Sequence, residues 1–128
     1  MATITARVDD SLREKIEDFW REHGIGPSSG LKRMAEEWWA MQTYPAIEFA
    51  DGPAGRRARL RRGPDVWEVV MVARDHGDDR RGLREHFASV AAADLDQALA
   101  YAAEFPGDVE QMLRENERIA AFLARTPD

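Results

Sequence analysis

The sequence contains no cysteine, which excludes disulfide bonds and thiolate metal ligands and is compatible with a cytoplasmic location. It has no apolar run of about twenty residues and no signal-peptide pattern at its start, so we expect neither a membrane span nor export. Its histidines (His23, His76 and His86) are scattered, so we expect no metal site and no cofactor. Phosphate-binding Gly-rich loops, HExxH motifs and nucleophile elbows are also missing, which predicts no catalytic residue and no enzyme activity.

Charge is unevenly distributed along the chain. The formal net charge of the 128 residues is −6, which taken alone argues against general binding of polyanions. Residues 46–64, however, carry five arginines against two carboxylates, whereas residues 89–128 carry three arginines against eight carboxylates. A basic middle followed by an acidic end predicts segments with different partners.

The first residues alternate between polar and apolar side chains, and a helical pattern follows at once. One face of this segment carries Thr3, Thr5 and Arg7, and the other carries Ile4, Ala6 and Val8. A period of two predicts a β-strand. A single strand cannot satisfy its own backbone hydrogen bonds, and no second strand pattern follows closely. We therefore expect this strand to pair with the same strand of a second copy of the chain.

Two amphipathic helices are predicted next. The first is capped within residues 9–11 and ends at Gly24, which supplies a stop. The second is capped by Ser28 or Ser29 and ends at Pro45. Together with the strand they form a β-α-α unit that covers about a third of the chain.

The remaining residues predict a hairpin and further helices. Glycines and prolines interrupt residues 46–64, so we expect a β-hairpin there with its turn near the DGPAG segment, residues 51–55. The valine-rich segment that starts at Asp65 favours a helix, although valines also suit a strand. Helical patterns then occur in DDRRGLREHFA, AADLDQALAYAAEF and PGDVEQMLRENERIAAFLAR.

Residues 2–44 resemble a ribbon-helix-helix domain, the class of Arc, MetJ and CopG-type regulators. The alternating ITARV strand, the Asp-Asp-Ser-Leu junction and the EHGIG turn carry the resemblance. It implies that two chains pair these strands antiparallel and insert the resulting ribbon into the major groove of DNA. The alternative is an ordinary edge strand whose threonines and arginine face solvent.

This resemblance implies a set of DNA-binding residues. Thr3, Thr5 and Arg7 would face base edges, where arginine can bind guanine with both arms of its guanidinium and threonine can donate, accept or touch a methyl group. The backbone amides near Ser28 and Ser29, at the start of the second helix, would hold a phosphate.

Residues 45–112 resemble a small winged-helix-like family, domain of unknown function family 433, which is found in VapB-type antitoxins. In that family a β-hairpin precedes a helix-turn-helix-like bundle, so the resemblance implies an antitoxin or regulator rather than a catalyst. The matching positions are Pro45, Ile47, Phe49, Gly52, Pro53, Gly55, Arg56, Arg57, Asp65, Val66, Trp67, Ala98, Tyr101, Phe105 and Pro106.

The hairpin itself carries a second candidate contact with DNA. Alternation along an extended strand places Arg57, Arg59 and Arg61 on one side, where three guanidinium groups could clamp a phosphate. The alternatives are a solvated basic hairpin, a hairpin that pairs with the protein's own acidic surface, and one that binds an acidic partner protein.

The terminal helix is acidic outside and apolar along one stripe. By resemblance, antitoxins of this type cover a toxin with a C-terminal segment, and the usual toxin is a PIN-domain ribonuclease. Arg114, Arg118 and Arg125 would then meet its acidic active site. The alternative is a helix that packs on its own domain or pairs between chains.

The sequence thus predicts a mainly α protein with short β elements, built as a cytoplasmic homodimer. Residues 1–44 would form a ribbon-helix-helix dimerisation and DNA-binding domain, and residues 45–128 a winged-helix-like module with an amphipathic C-terminal helix. The predicted function is that of a DNA-binding transcriptional regulator, the antitoxin of a type II pair that represses its own operon and neutralises a toxin. The alternative is a dimeric protein–protein adaptor that does not bind DNA.

Overall fold

The structure is a computed structural model that describes residues 1–52 and 55–125. It is mainly helical with one antiparallel hairpin, as the sequence predicts. Within these two ranges, no helix is both long enough and apolar enough to cross a membrane. In chain order the elements are α1 (Asp10–Glu22), α2 (Pro27–Thr43), β1 (Ile47–Gly52), β2 (Gly55–Leu60), α3 (Val66–Asp75), α4 (Arg80–His86), α5 (Ala92–Glu104) and α6 (Pro106–Arg125).

The predicted N-terminal strand is not formed in the single chain. Residues 1–9 adopt neither helix nor strand, and all of them are exposed. A β-strand forms only where a neighbouring strand takes up its backbone hydrogen bonds. In the described part of the chain the sheet contains only β1 and β2, which pair with each other. The pairing of residues 3–8 with a second copy stays a prediction.

The two N-terminal helices begin and end at residues with the expected chemistry, with one correction. Asp9 is the N-cap of α1, and Gly24 follows the end of this helix with a φ of +67°, which glycine adopts without strain. The expected cap at Ser28 or Ser29 is wrong. Helix α2 begins at Pro27, so both serines lie inside its first turn. Proline favours this first position because its fixed φ suits a helix and its missing N–H is not needed there.

The predicted hairpin is present. Strands β1 and β2 pair antiparallel, with Ile47 opposite Leu60 and Glu48 opposite Arg59. Ile47 and Leu60 are fully buried, so the part of the hairpin face that they share packs into the core, and Glu48 and Arg59 lie on the opposite face. The two residues at the tip, including Pro53, lie outside the described residues.

Helix α3 lies at the centre of the C-terminal core and contacts β2, α4, α5 and α6. The valine-rich segment forms this helix and not a strand, as the sequence favoured. The backbone N–H of Asp65 donates to Glu68 Oε1 at 3.4 Å, which helps to fix the start of this helix. The buried side chains of the core are Ala40, Ile47, Leu60, Val66, Val69, Val70, Val72, Ala73, Leu83, Leu95, Ala98, Tyr101 and Val109.

Contacts divide the chain into two compact units, which we call the N-terminal unit (Met1–Trp38) and the C-terminal unit (Trp39–Asp128). Helix α2 belongs to both, since its last turn contributes Ala40 to the C-terminal core. The boundary predicted after residue 44 lies just past the end of this helix.

Candidate nucleic-acid interface

The N-terminal unit buries almost none of its hydrophobic residues. Trp20, at 8% exposure, is its only buried large hydrophobic side chain. The indole of Trp20 lies so close to Gly30 that a Cβ at this position would collide with it. Contact between α1 and α2 at this point therefore depends on a glycine. The exposed large hydrophobic side chains of the unit are Met1, Ile4, Val8, Leu12, Phe19, Leu31, Met34 and Trp38.

These exposed side chains form stripes. On α1, Leu12 and Phe19 are seven residues apart and share one face. On α2, Leu31, Met34 and Trp38 share another, and each is at least 46% exposed. Each N-terminal helix thus presents an apolar face that the single chain does not cover.

The three predicted base-contacting residues precede α1. Thr3, Thr5 and Arg7 are exposed on the segment without regular structure, and so are the apolar residues between them. Ile4 is 92% exposed and Val8 is 51% exposed. The segment is therefore accessible on both of the faces that the sequence assigns to it.

The start of α2 offers backbone donors to an anion. Pro27 has no N–H, and the N–H of Gly30 already donates to Gly26 O at 2.8 Å. The amides of Ser28 and Ser29 therefore lack acceptors within the helix. The first turn contains no acidic residue. This end of the helix is electrostatically compatible with a phosphate group.

Arg57, the first arginine of the predicted phosphate clamp, is paired within the chain. Its Nε donates to Asp65 Oδ2 at 2.6 Å, and the two side chains are only 20% and 15% exposed. Asp65 also accepts a hydrogen bond from the indole of Trp67 at 3.1 Å. Arg57 thus joins β2 to the start of α3, and its charge is neutralised there.

The other two arginines of the clamp share one carboxylate. Arg59 Nε lies 3.2 Å from Glu48 Oε1, and Arg61 lies 3.7 Å from Glu48 Oε2. The Arg59 Nε is buried, and within residues 1–52 and 55–125 it has no hydrogen-bond partner, so its contact with Glu48 is an ion pair only. Arg61 also donates to the carbonyl of Pro45 at 2.9 Å. Arg57 and Arg59 share one face of β2 and Arg61 follows the end of this strand, and nearby carboxylates compensate much of their charge.

Helix α5 is poorly suited to DNA. Its sequence, AADLDQALAYAAE, contains no lysine or arginine, and it carries Asp94, Asp96 and Glu104. A helix that reads a groove must approach phosphates, which repel carboxylates. Helix α5 therefore offers no basic surface to DNA.

The structure also reveals a carboxylate contact that the sequence analysis missed. Glu104 accepts hydrogen bonds from the indole of Trp39 at 3.2 Å and from the hydroxyl of Tyr44 at 2.7 Å. The hydrogen bond to Glu104 raises the pKa of Tyr44 above its ordinary value, with burial as the next cause. The partners are separated by about sixty residues of sequence, so no local motif indicates them. They attach the end of α2 to the end of α5.

Helix α6 separates its charges from its apolar stripe. At about 100° per residue, Arg114, Arg118 and Arg125 fall on one face, opposite Val109 and the rest of the stripe. All three arginines are exposed. Arg118 lies 3.2 Å from Glu115, and Arg125 donates to Ala121 O at 3.3 Å. The predicted toxin-binding arginines thus share an accessible surface.

Comparison with protein-family models, curated proteins and solved structures gives no match. The described residues contain no group of three or more histidine or carboxylate side chains that could hold a metal ion.

Proposed function

We propose that this protein is a dimeric DNA-binding transcriptional regulator whose N-terminal units pair as a ribbon-helix-helix domain. The observation that carries the proposal is the exposed apolar surface of Met1–Trp38, in which Trp20 is the only buried large hydrophobic side chain. A unit of this size cannot enclose a core with two helices. A second copy would supply the missing half.

One partner would meet two separate needs of the N-terminal unit. The apolar stripes of α1 and α2 require a cover, and the alternating segment at residues 3–8 requires a strand to pair with. A two-fold contact between identical chains supplies both, since each copy offers the same surface. Ile4 and Val8 would enter the shared core, and Thr3, Thr5 and Arg7 would form the outer face of the ribbon.

This outer face is suited to base edges, and the start of α2 to phosphate. Each chain contributes one arginine to the ribbon, so a dimer presents two copies of Arg7 among four threonines. The free amides of Ser28 and Ser29 would fix the ribbon's orientation through backbone phosphates. Because few basic residues take part, the affinity rests on a small number of contacts.

Replacing Arg7 tests the proposed reader. We expect Arg7→Ala to weaken binding to a promoter fragment by about 1–3 kcal/mol per arginine that contacts a base. Arg21→Ala is the matched control, because Arg21 is also exposed and its loss changes the net charge equally. Fluorescence anisotropy at several salt concentrations measures both variants. If Arg7→Ala binds as tightly as Arg21→Ala, the ribbon is not the reader.

We propose further that the C-terminal unit is a winged-helix-like module that neutralises a toxin. Support comes from the hairpin packed on the α3–α6 bundle and from the exposed face with Arg114, Arg118 and Arg125, which fits an acidic active site. The test is co-expression with the product of the adjacent gene. We expect a complex that co-purifies, and a variant with all three arginines changed to alanine that loses it. Failure to recover any complex would overturn the toxin proposal while leaving the dimer intact.

A second candidate function is a dimeric protein–protein adaptor without DNA binding. The pairing of Arg57 with Asp65, and of Arg59 and Arg61 with Glu48, favours it because these ion pairs leave little free charge for phosphate. The acidic side chains of α5 also favour an adaptor, because they would repel DNA phosphates. Salt distinguishes the two functions. Affinity for DNA should fall steeply as salt increases, by release of counterions, whereas an apolar protein contact should change little.

A further inference from the structure

The apolar stripe of α6 continues beyond the part of the helix that packs on its own unit. Val109 is 5% exposed, and Leu113 packs against the core. At about 100° per residue, Asn116, Ile119 and Leu123 continue the same stripe. Ile119 is 38% exposed and Leu123 is 65% exposed. The first part of the stripe is therefore covered by the C-terminal unit, and its last part is exposed to water.

The spacing of the open part is compatible with a short coiled-coil contact. Asn116, Ile119 and Leu123 follow each other at intervals of three and four residues, which are the a, d and a positions of a heptad. A single asparagine at an a position specifies register and a two-stranded state in parallel coiled coils. Asn116 is half-buried, and none of the described residues makes a hydrogen bond with its side chain.

We propose that residues 116–123 of α6 pair in parallel with the same segment of a second copy of this chain. The two Asn116 amides would lie opposite each other, where each can donate to and accept from its counterpart. Ile119 and Leu123 would be buried against their counterparts. The arginine face lies on the other side of the helix, so this pairing does not bring like charges together.

The contact rests on the proposed function, because so short a seam is not stable alone. A ribbon that joins two chains would convert pairing of α6 into an intramolecular step at a millimolar effective concentration. A toxin held by Arg114, Arg118 and Arg125 would use the opposite face. The two contacts are therefore compatible on one helix.

Disulfide cross-linking of the full chain tests the proposal, and the absence of native cysteine makes each introduced thiol unambiguous. The test variant is Ile119→Cys, and the control is Glu117→Cys, an exposed position about 160° away around the helix. At about 10 μM chain and under mild oxidation, we expect Ile119→Cys to form a covalent dimer about a hundredfold faster than the control, the ratio of effective to bulk concentration.

Equal rates in the two variants, or no covalent dimer in either, would overturn the proposal. Sedimentation of the same samples under reducing conditions separates its failure from that of the proposed function. A reduced dimer without selective cross-linking overturns the α6 contact and keeps the ribbon. A reduced monomer overturns the ribbon, and selective cross-linking of that monomer would show that the α6 contact does not depend on the ribbon.

A second variant tests the register. Adding Asn116→Asp to Ile119→Cys would place two carboxylates opposite each other, and we expect the cross-linking rate to fall about tenfold because paired like charges resist burial. Circular dichroism checks that the helix content is unchanged. An unaltered rate would contradict the assignment of Asn116 to the seam.

Discussion

In Met1–Trp38, Trp20 is the only large hydrophobic side chain that is buried, whereas Trp39–Asp128 buries a core that extends in sequence from Ala40 to Val109. Both units contain amphipathic helices with clear apolar stripes. They differ in the number of elements available to close over those stripes. Among the described residues, the N-terminal unit has α1 and most of α2, and the C-terminal unit has a hairpin and four helices as well as the last turn of α2.

An apolar stripe on a helix indicates that this face is buried in the native protein, but it does not identify the element or chain that covers it. In the C-terminal unit the partners are other elements of the same chain, which surround α3. In the N-terminal unit no such element is present, so we infer that the partner is a second copy. The hydrophobic effect favours covering this surface by about 25 cal/mol per Å² of apolar area.

The largest expected effect on stability comes from a substitution in the C-terminal core. Ile47 is fully buried between the hairpin and the helices. We expect Ile47→Ala to lower the free energy of unfolding of the C-terminal unit by about 2–5 kcal/mol through lost burial and a residual cavity. Met71→Ala, at a position that is 38% exposed, should cost about 1 kcal/mol or less. Urea titration measures both, and similar losses would contradict the full burial of Ile47.

A smaller effect is expected at the one close contact inside the N-terminal unit. A Cβ at Gly30 would collide with the indole of Trp20, so Gly30→Ala must displace that side chain or move α1 from α2. We expect a loss of about 1–3 kcal/mol, typical of overpacking. Ser29→Ala, at the preceding exposed position, is the control. Thermal unfolding monitored by tryptophan fluorescence makes the measurement, and an equal effect of both variants would contradict the close contact.

The ion pairs of the hairpin should contribute less. Glu48→Gln removes the carboxylate that Arg59 and Arg61 share, and we expect a change in stability of at most about 1 kcal/mol because the three side chains are partly exposed. Binding to DNA should strengthen if the hairpin approaches phosphates, since two arginines are released. If the DNA affinity of Glu48→Gln equals that of the unmodified chain, the hairpin lies outside the DNA contact.

The smallest expected effect is a shift in the pKa of one tyrosine. The hydrogen bond to Glu104 raises the pKa of Tyr44, so its phenol should ionise above the ordinary value of about 10. Because the folded pKa is the higher one, this contact stabilises the protein below the unfolded pKa, and the contribution is lost as pH rises through the folded pKa. Ultraviolet titration of the unmodified chain and of Glu104→Gln measures the shift, with Tyr44→Phe to assign it. An identical titration with Gln at 104 would exclude the contact.

The sequence was sufficient to predict the elements whose signals are local. The helices follow from apolar spacing, and the hairpin follows from alternation on either side of a Gly- and Pro-rich turn. The start of α2 was misplaced because Ser28 and Ser29 are good caps by type, whereas Pro27 favours the first helical position more strongly. Competition between neighbouring signals limits the accuracy of such boundaries.

Features that depend on distant residues were not predictable in the same way. Trp20 lies about 80° around α1 from Leu12 and about 100° from Phe19, at the edge of their stripe, so periodicity did not single it out for burial. The neutralisation of Arg59 by Glu48 depends on the hairpin register, which the turn determines. Glu104 meets Tyr44 only because α5 packs beside the end of α2. The proposed pairing of residues 3–8 would depend on a second copy of the chain, so the structure of one chain does not test it.

Sedimentation equilibrium of the unmodified chain over a range of concentrations tests the central claim most directly. If the N-terminal units pair, we expect a single species with twice the 14.5 kDa mass of one chain, and dissociation or unfolding when Ala6→Asp places a carboxylate inside the ribbon core. A folded monomer at micromolar concentration, with a sedimentation profile that Ala6→Asp leaves unchanged, would contradict it.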